Sequence, residues 1–355
     1  LVEEALRLAP KRPELHLGRG QCLVHLEKFD EALKSFEETL QLDRQHAAAQ
    51  RSKASLLAKQ QRWSDAVTSL REALRSDTSS TSSMELRSEL ARCLMEHGVQ
   101  LKAAGCGDNR LFHEAIQACE SYAPAHFQLG VHYSEAGDSR KAKEFYTQAV
   151  KLQPGYVEAL NNLGVACRSL GELEHAIEAY GMALKVNQNC SKTRENMAIS
   201  FLELGCRHLQ NKEWKLASKA LKQGLVFNSR NADLYFNLGV LYAEKEKWDR
   251  AKVNYELATN FEARHKNAQN NLGVIHRRLG NPEAAMKCFE QALEVDSQMN
   301  LANKNLGAVY GQMGRMADSI RLTQLAIDSN SKDAEAYNNL ALLLRDQCDV
   351  DACLE

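Results

Sequence analysis

Proline is scarce, with five in 355 residues, and no Ser/Gly-rich linker interrupts the chain beyond Ser79 to Ser83. A string of separate globules joined by linkers is therefore excluded in favour of one extended architecture. Aromatic residues make up only 6% of the chain, and Val and Ile form no alternating runs, which argues against sheet and for helix throughout. Neither sign of charge dominates: 45 basic side chains face 46 acidic ones, and no block of five like charges occurs. The electrostatic footprint of a nucleic-acid binder is thus missing. No apolar run is long enough for a membrane span, and LVEEALRLAPKRPE at the start does not read as a signal peptide, so a soluble, intracellular protein is expected. The ten cysteines are scattered without a Cys-x-x-Cys pair at metal-ligand spacing. Cys22, Cys167 and Cys288 fall where a helix would bury a small apolar side chain, and Cys348 with Cys353 is the closest pair.

What is present is a repeat. Small residues recur at Gly130, Gly164, Ala198, Gly239, Gly273, Gly307 and Ala341, with gaps of 34 residues except for one of 41; Gly20, Ala54 and Ala91 extend the series backwards. Twelve positions on stand Ala32, Ala66, Ala142, Ala176, Ala251 and Ala285, and seven beyond those come Ala73, Ala149, Ala183, Ala258, Ala292 and Ala326. A fixed period of this kind means helical hairpins that bury their apolar faces only by stacking. The small residues mark where helices approach closely, because larger side chains would overpack the contact by about 1–3 kcal/mol. Gly98, Gly137, Gly171, Gly205, Gly280 and Gly314 are read as the turns between paired helices, where glycine accepts a left-handed backbone.

The fold expected is all-α, a right-handed superhelical solenoid of tetratricopeptide helix-turn-helix repeats. Residues 1–12 read as the second helix of a truncated repeat and 13–122 as less regular N-terminal repeats. Residues 123–333 read as regular repeats with an enlarged unit at 191–231. Residues 334–355 read as a partial repeat, the chain being cut before a C-terminal catalytic domain. Within 84–122, Gly105-Cys106-Gly107 predicts an enlarged turn. The seven extra residues of 191–231 are nearly two helical turns, so both of its helices are expected to lengthen with their apolar faces in phase.

Two positions before the small residue, six successive units carry asparagine: Asn162, Asn196, Asn237, Asn271, Asn305 and Asn339. First helices line the inner surface of such a stack, and an amide that donates and accepts at once can grip the backbone of an extended peptide without reading its side chains. These residues are the candidate peptide-binding groove; Gly18, Ser52 and Glu89 replace them in the earlier units. The competing reading is that each amide bonds only to the adjacent hairpin. Other constellations point to no chemistry. Gly307, Gly311 and Gly314 follow no strand, so they do not make a phosphate loop. His126 and His132 are six apart and cannot share a helix face as metal ligands. Tyr235, Tyr242, Tyr255 and Trp248 read as core between hairpins. No catalytic residues and no metal ligands are expected.

YAPAHFQLGVHYSE at 122–135, YVEALNNLGVACRSLGELEHAIEAY at 156–180, NMAISFLELG at 196–205 and NNLGVIHRRLGNPEAAMKCFEQAL at 270–293 resemble the repeat region of the SPINDLY family, the plant-type protein O-fucosyltransferases related to O-GlcNAc transferase. The resemblance covers roughly 84–355 and includes both irregular units; Gln128 departs from it where asparagine is expected. It implies a parent enzyme, a glycosyltransferase that moves fucose from GDP-fucose to Ser or Thr of cytoplasmic and nuclear proteins, with ties to gibberellin signalling in plants. This segment would recruit extended segments of protein substrates and hold no cofactor itself, with a homodimer through the convex surface left open. Two alternatives stand beside it. One is a non-enzymatic scaffold or co-chaperone adaptor, although only Lys192 with Asn196 and Asn237 matches part of a carboxylate clamp. The other is the repeat region of an O-GlcNAc transferase.

Overall fold

Helix propensity alone does not hold short helices together in water, so the thirteen- and fourteen-residue helices of this chain depend on the faces they bury. The second helix of each hairpin shows this most clearly. In α3 (Phe29–Leu42) the buried residues are Ala32, Ser35, Phe36 and Thr39, an i, i+3, i+4, i+7 stripe. The computed structural model describes residues 2–76, 80–107 and 109–346. Among these residues every element is helical, and they form two compact units that divide between Asn189 and Cys190.

The first unit contains α1 (Val2–Leu8), α2 (Pro13–His25), α3, α4 (Ala47–Lys59), α5 (Trp63–Ser76), α6 (Ser80–Ala103), α7 (Arg110–Ala118), α8 (Ala123–Glu135), α9 (Ser139–Leu152), α10 (Val157–Ser169) and α11 (Leu173–Val186). The second contains α12 (Ser191–Gln210), α13 (Trp214–Phe227), α14 (Ala232–Glu244), α15 (Trp248–Phe261), α16 (Lys266–Arg278), α17 (Pro282–Val295), α18 (Asn300–Gln312), α19 (Met316–Ser329) and α20 (Ala334–Asp346). From α2 onward within each unit, an even-numbered helix is the first of a hairpin and the next odd-numbered helix the second. Each packs on its chain neighbours, and successive first helices also touch: α2 with α4, α6 with α8 and α8 with α10 in one unit, α12 with α14, α16 with α18 and α18 with α20 in the other.

The close approaches fall at the small residues. A Cβ added to Gly130, Gly164, Gly239 or Gly273 would lie 2.5–2.6 Å from a ring carbon of Tyr146, Tyr180, Tyr255 or Phe289 respectively. The aromatic side chain of the second helix therefore sits flat against a bare stretch of the first. Ala32, Ala66, Ala142, Ala176, Ala251 and Ala285 are fully buried, as are Ala73, Ala149, Ala183, Ala258, Ala292 and Ala326. Hairpins are joined by loops with a local stitch. The side chains of Asp43, Asn187, Asn228, Asp296 and Asn330 each accept the backbone N–H two residues on, at 3.0–3.2 Å, the Asx turn that stops a helix.

The turn inside each hairpin corrects the sequence reading. Positive φ occurs at Gly105, Gly137, Gly171, Gly280 and Gly314, and also at Glu27, Gln61, Lys212 and Glu246, whereas Gly98 and Gly205 are helical. Gly98 packs on Phe112 and Gly205 on Leu221, so in these two units they are the close-approach residues and the left-handed turn follows seven later, as elsewhere. The extra length lies wholly in first helices. α12 has 20 residues against 13 in α10, while α13 keeps the 14 of α11. The expectation that both helices of 191–231 lengthen is thus wrong, since seven residues added to one helix already restore the face. α6 likewise runs to 24 residues and α7 is cut to 9; Ala91 packs in the cluster of Leu57, Ala66 and Leu70 of the preceding hairpin, and Gly98 on Phe112 of its own. The enlarged turn expected at Gly105-Cys106-Gly107 is present between α6 and α7. Cys167 and Cys288 are buried as expected, but Cys22 is exposed. Cys348 and Cys353 lie outside the described residues.

Candidate functional site

The amide row grows out of the seam where first helices meet. In the second unit Asn305 Nδ2 on α18 donates to Asn270 Oδ1 on α16 at 3.1 Å, and Asn270 Nδ2 donates to Asn271 Oδ1 at 3.2 Å. Asn271 Nδ2 then donates to the phenol oxygen of Tyr255 at 3.3 Å. The first unit repeats the motif: Asn161 Nδ2 donates to Asn162 Oδ1 at 3.3 Å, and Asn162 Nδ2 to the Tyr146 hydroxyl at 3.4 Å. In both places the partner tyrosine precedes the asparagine by sixteen residues and belongs to the second helix of the previous hairpin. Burial raises the phenol pKa, to about 12 for Tyr255, and the amide bond opposes that rise. Both tyrosines therefore remain neutral over the physiological range.

Bonding to the adjacent hairpin, the competing reading, is thus realised at Asn162 and Asn271, yet all six asparagines are half-buried rather than enclosed. A carboxamide has two N–H donors and two acceptor lone pairs. Asn271 spends one donor and one lone pair within the stack, leaving one of each. Asn237 is fixed by Asp233 O, to which it donates at 2.8 Å, and by the Cys206 thiol, which donates to its Oδ1 at 3.4 Å. The Asn339 side chain has no hydrogen-bond partner among the described residues. Asn162 belongs to the first unit and the other five to the second. Asn196 lies on the N-terminal part of the long α12, with Ser200 Oγ donating to its carbonyl at 3.0 Å; two positions before Gly205 stands the exposed Glu203.

A second recurring device was not legible beforehand. Four positions before the close-approach glycine, chemically different side chains donate to the loop carbonyl six residues back. His16 reaches Pro10 O at 2.8 Å, His126 reaches Glu120 O at 2.9 Å, Tyr235 reaches Ser229 O at 3.2 Å, Gln269 reaches Ala263 O at 3.4 Å and Asn303 reaches Ser297 O at 3.1 Å. Only the donor is common to them, so no residue type signals the position. His126 is accordingly a loop clasp. Among the described residues no group of three or more His, Cys, Asp or Glu side chains could hold a metal ion, and no helix is long and apolar enough to cross a membrane. Tyr255 is buried and Tyr242 and Trp248 pack against its cluster, while Tyr235 stacks on Phe261 with ring centroids 5.5 Å apart.

Ion pairs tie helices together along the second unit, within the hairpin of α16 and α17 and between α18 and the hairpin that follows it. Lys266 Nζ lies 2.8 Å from Asp296, and Lys304 Nζ lies 3.3 Å from Asp333 and 2.7 Å from Glu335. The Lys266 ammonium holds the Asp296 carboxyl below its ordinary value. The Ala336 N–H, followed by Lys304, does the same for Asp333.

Sequence profiles described as tetratricopeptide repeat match residues 1–47, 23–81, 123–156, 157–190 and 267–299. Over 143 residues, 40% of this chain, the sequence is 33% identical to a protein of Hordeum vulgare named "Probable UDP-N-acetylglucosamine--peptide N-acetylglucosaminyltransferase SPINDLY"; the matched part is 15% of that protein. Among solved structures, YrrB, described as a TPR protein with an unusual peptide-binding site, is 19% identical over 55% of this chain and 97% of its own, with a TM-score of 0.40. The APC/C hetero-tetramer Cut9–Hcn1 has a chain 16% identical over 97% of this one and 81% of its own, with a TM-score of 0.42. Superposition at that level assigns no site. The helical hairpins, their glycine-on-aromatic contacts and the profile matches, which together span about half of the sequence, show that the chain belongs to the tetratricopeptide-repeat family.

Proposed function

We propose that this chain is a protein-holding repeat region whose half-buried asparagines, Asn237, Asn271, Asn305 and Asn339 above all, grip the backbone of an extended polypeptide. The observation that carries the reading is the state of the amides. Asn237, Asn271 and Asn305 are oriented by bonds within the stack, and Asn271 retains one donor and one lone pair beyond them. Groups held this way lose little freedom on binding, and that pre-organisation favours affinity. Peptides selected from a displayed random library on the whole chain provide the test. Changing Asn237, Asn271 and Asn305 together to Ala should weaken the selected peptides by tenfold or more, at about 1 kcal/mol per hydrogen bond lost. Unchanged affinity in a folded triple variant removes the groove.

The finer reading is that these repeats recruit substrates for a protein O-glycosyltransferase. It is supported by the resemblance to the SPINDLY family and by the partial match to its barley member. Fucose from GDP-fucose is the transfer proposed; N-acetylglucosamine transfer, which that relative's name carries, is the second reading. Incubating the full-length gene product and a selected Ser- or Thr-containing peptide with each sugar nucleotide separates them. Transfer from neither leaves the adaptor reading. Cytoplasmic and nuclear residence belongs to the same proposal, and imaging the tagged protein checks it.

A further inference from the structure

In the hairpin of α18 and α19 the repeat omits a ring. Sixteen residues after the close-approach glycine stand Phe36, Tyr146, Tyr180, Tyr255 and Phe289 in other hairpins, but after Gly307 the residue is Thr323. A Cβ on Gly307 would meet Thr323 Oγ1 at 3.1 Å instead of a ring face. Twelve residues after that glycine, Ser319 replaces the usual alanine and donates to Gly307 O at 2.7 Å. Gly311 occupies a position held by Arg168 and Arg277 in other first helices. A cavity of about 310 Å³ lies between α18, α19 and α20, with Ser319 and Thr323 on its floor and Ala308, Gly311, Leu342 and Leu343 on its walls.

Asn339 also lines this cavity. It follows Thr323 by sixteen residues, the interval at which Asn162 donates to Tyr146 and Asn271 to Tyr255. Here the phenol that would receive the amide is missing, and Asn339 is half-buried without a side-chain partner among the described residues. Charge does not compete for the space, because Lys304 at the rim is bonded to Asp333 and Glu335.

We propose that this cavity is an anchor pocket for a tyrosine side chain of a bound polypeptide, which replaces the missing repeat aromatic and takes the Asn339 amide on its hydroxyl. Apolar walls bury the ring, and the unspent amide distinguishes tyrosine from phenylalanine, since a site built to bond a hydroxyl is left unpaired by the analogue lacking it. The inference deepens the groove reading by adding a side-chain preference at one point of a surface otherwise indifferent to side chains.

N-acetyl-tyrosinamide and N-acetyl-phenylalaninamide, titrated into the methyl-labelled full chain and followed by NMR, test it without an extended backbone, so failure here leaves the amide row to its own test. The tyrosine probe should give saturable shifts at Met316, Leu342 and Leu343. The phenylalanine probe should bind about threefold to tenfold more weakly, the worth of one hydrogen bond, and Asn339→Ala should erase that difference. Thr323→Tyr restores the ring from within and should abolish the shifts; Leu342→Lys at the exposed rim gives the same reading if the first variant does not fold. Absence of saturable shifts in the unaltered chain, or their persistence in a folded Thr323→Tyr or Leu342→Lys variant, overturns the assignment.

Discussion

Glycine does two distinct jobs in this chain, and each has its own signature. Gly239 is required for close approach: a Cβ there would lie 2.5 Å from Tyr255, so Gly239→Val should cost about 1–3 kcal/mol by overpacking, read as a lower urea midpoint. Gly280, at φ 77°, is required for handedness, and the same turn position is held by Glu246 at φ 55°. A left-handed non-glycine backbone is costly, so Glu246→Gly should gain a few tenths to about 1 kcal/mol after the unfolded-state entropy is counted. Thiols divide by burial. Cys22 and Cys106 are exposed, whereas burial pushes the Cys288 thiol up to about 11. A thiol reagent at pH 8 should therefore label the first two quickly and Cys288 only as the chain unfolds. The asparagines were legible as a row, but their bonds to Tyr146 and Tyr255 were not, because an interval of sixteen residues between hairpins has no local signature.

At the scale of the helix, the 34-residue period was readable and the irregular units were half-readable. Ala198 keeps the 34-residue spacing from Gly164 and Ala91 packs with the preceding hairpin, while Gly98 and Gly205 are the close-approach residues of their own hairpins, so one long helix serves both contacts. Sequence spacing alone counts the seven-residue gap but does not say which helix absorbs it. α12 should tolerate a change of seven residues and not one of five. Deleting 198–204 turns the helix face by about 20°, whereas deleting 198–202 turns it by about 140°. The first variant should retain its helical circular dichroism and a cooperative melt at reduced temperature. The second should lose the hairpin of α12 and α13.

Each unit of the molecule is held by contacts between neighbouring hairpins, so its stability is a sum over interfaces. The carboxylates that tie these helices together have lowered pKa values: Asp296 through Lys266, Asp333 through the Ala336 N–H and then Lys304. Their contribution is fully present above the ordinary value of 3.8 and disappears as pH falls through the lowered folded-state values. An acid titration of thermal stability should steepen below that point, and Asp296→Asn should flatten it. Tyr255 acts at the other end. Its phenol, raised to about 12 by burial, adds stability below its ordinary value of 10 that is lost as pH climbs toward the folded-state value.

A backbone scan of one selected peptide reaches the central claim most directly. Each peptide bond is replaced in turn by its N-methyl form, each side chain in turn by alanine, and affinity for the full chain is measured. Gripping by oriented amides predicts losses of about tenfold at several N-methylated bonds and small effects from the side chains, tyrosine excepted. Affinity that follows the side chains throughout and ignores the methylated backbone would contradict it.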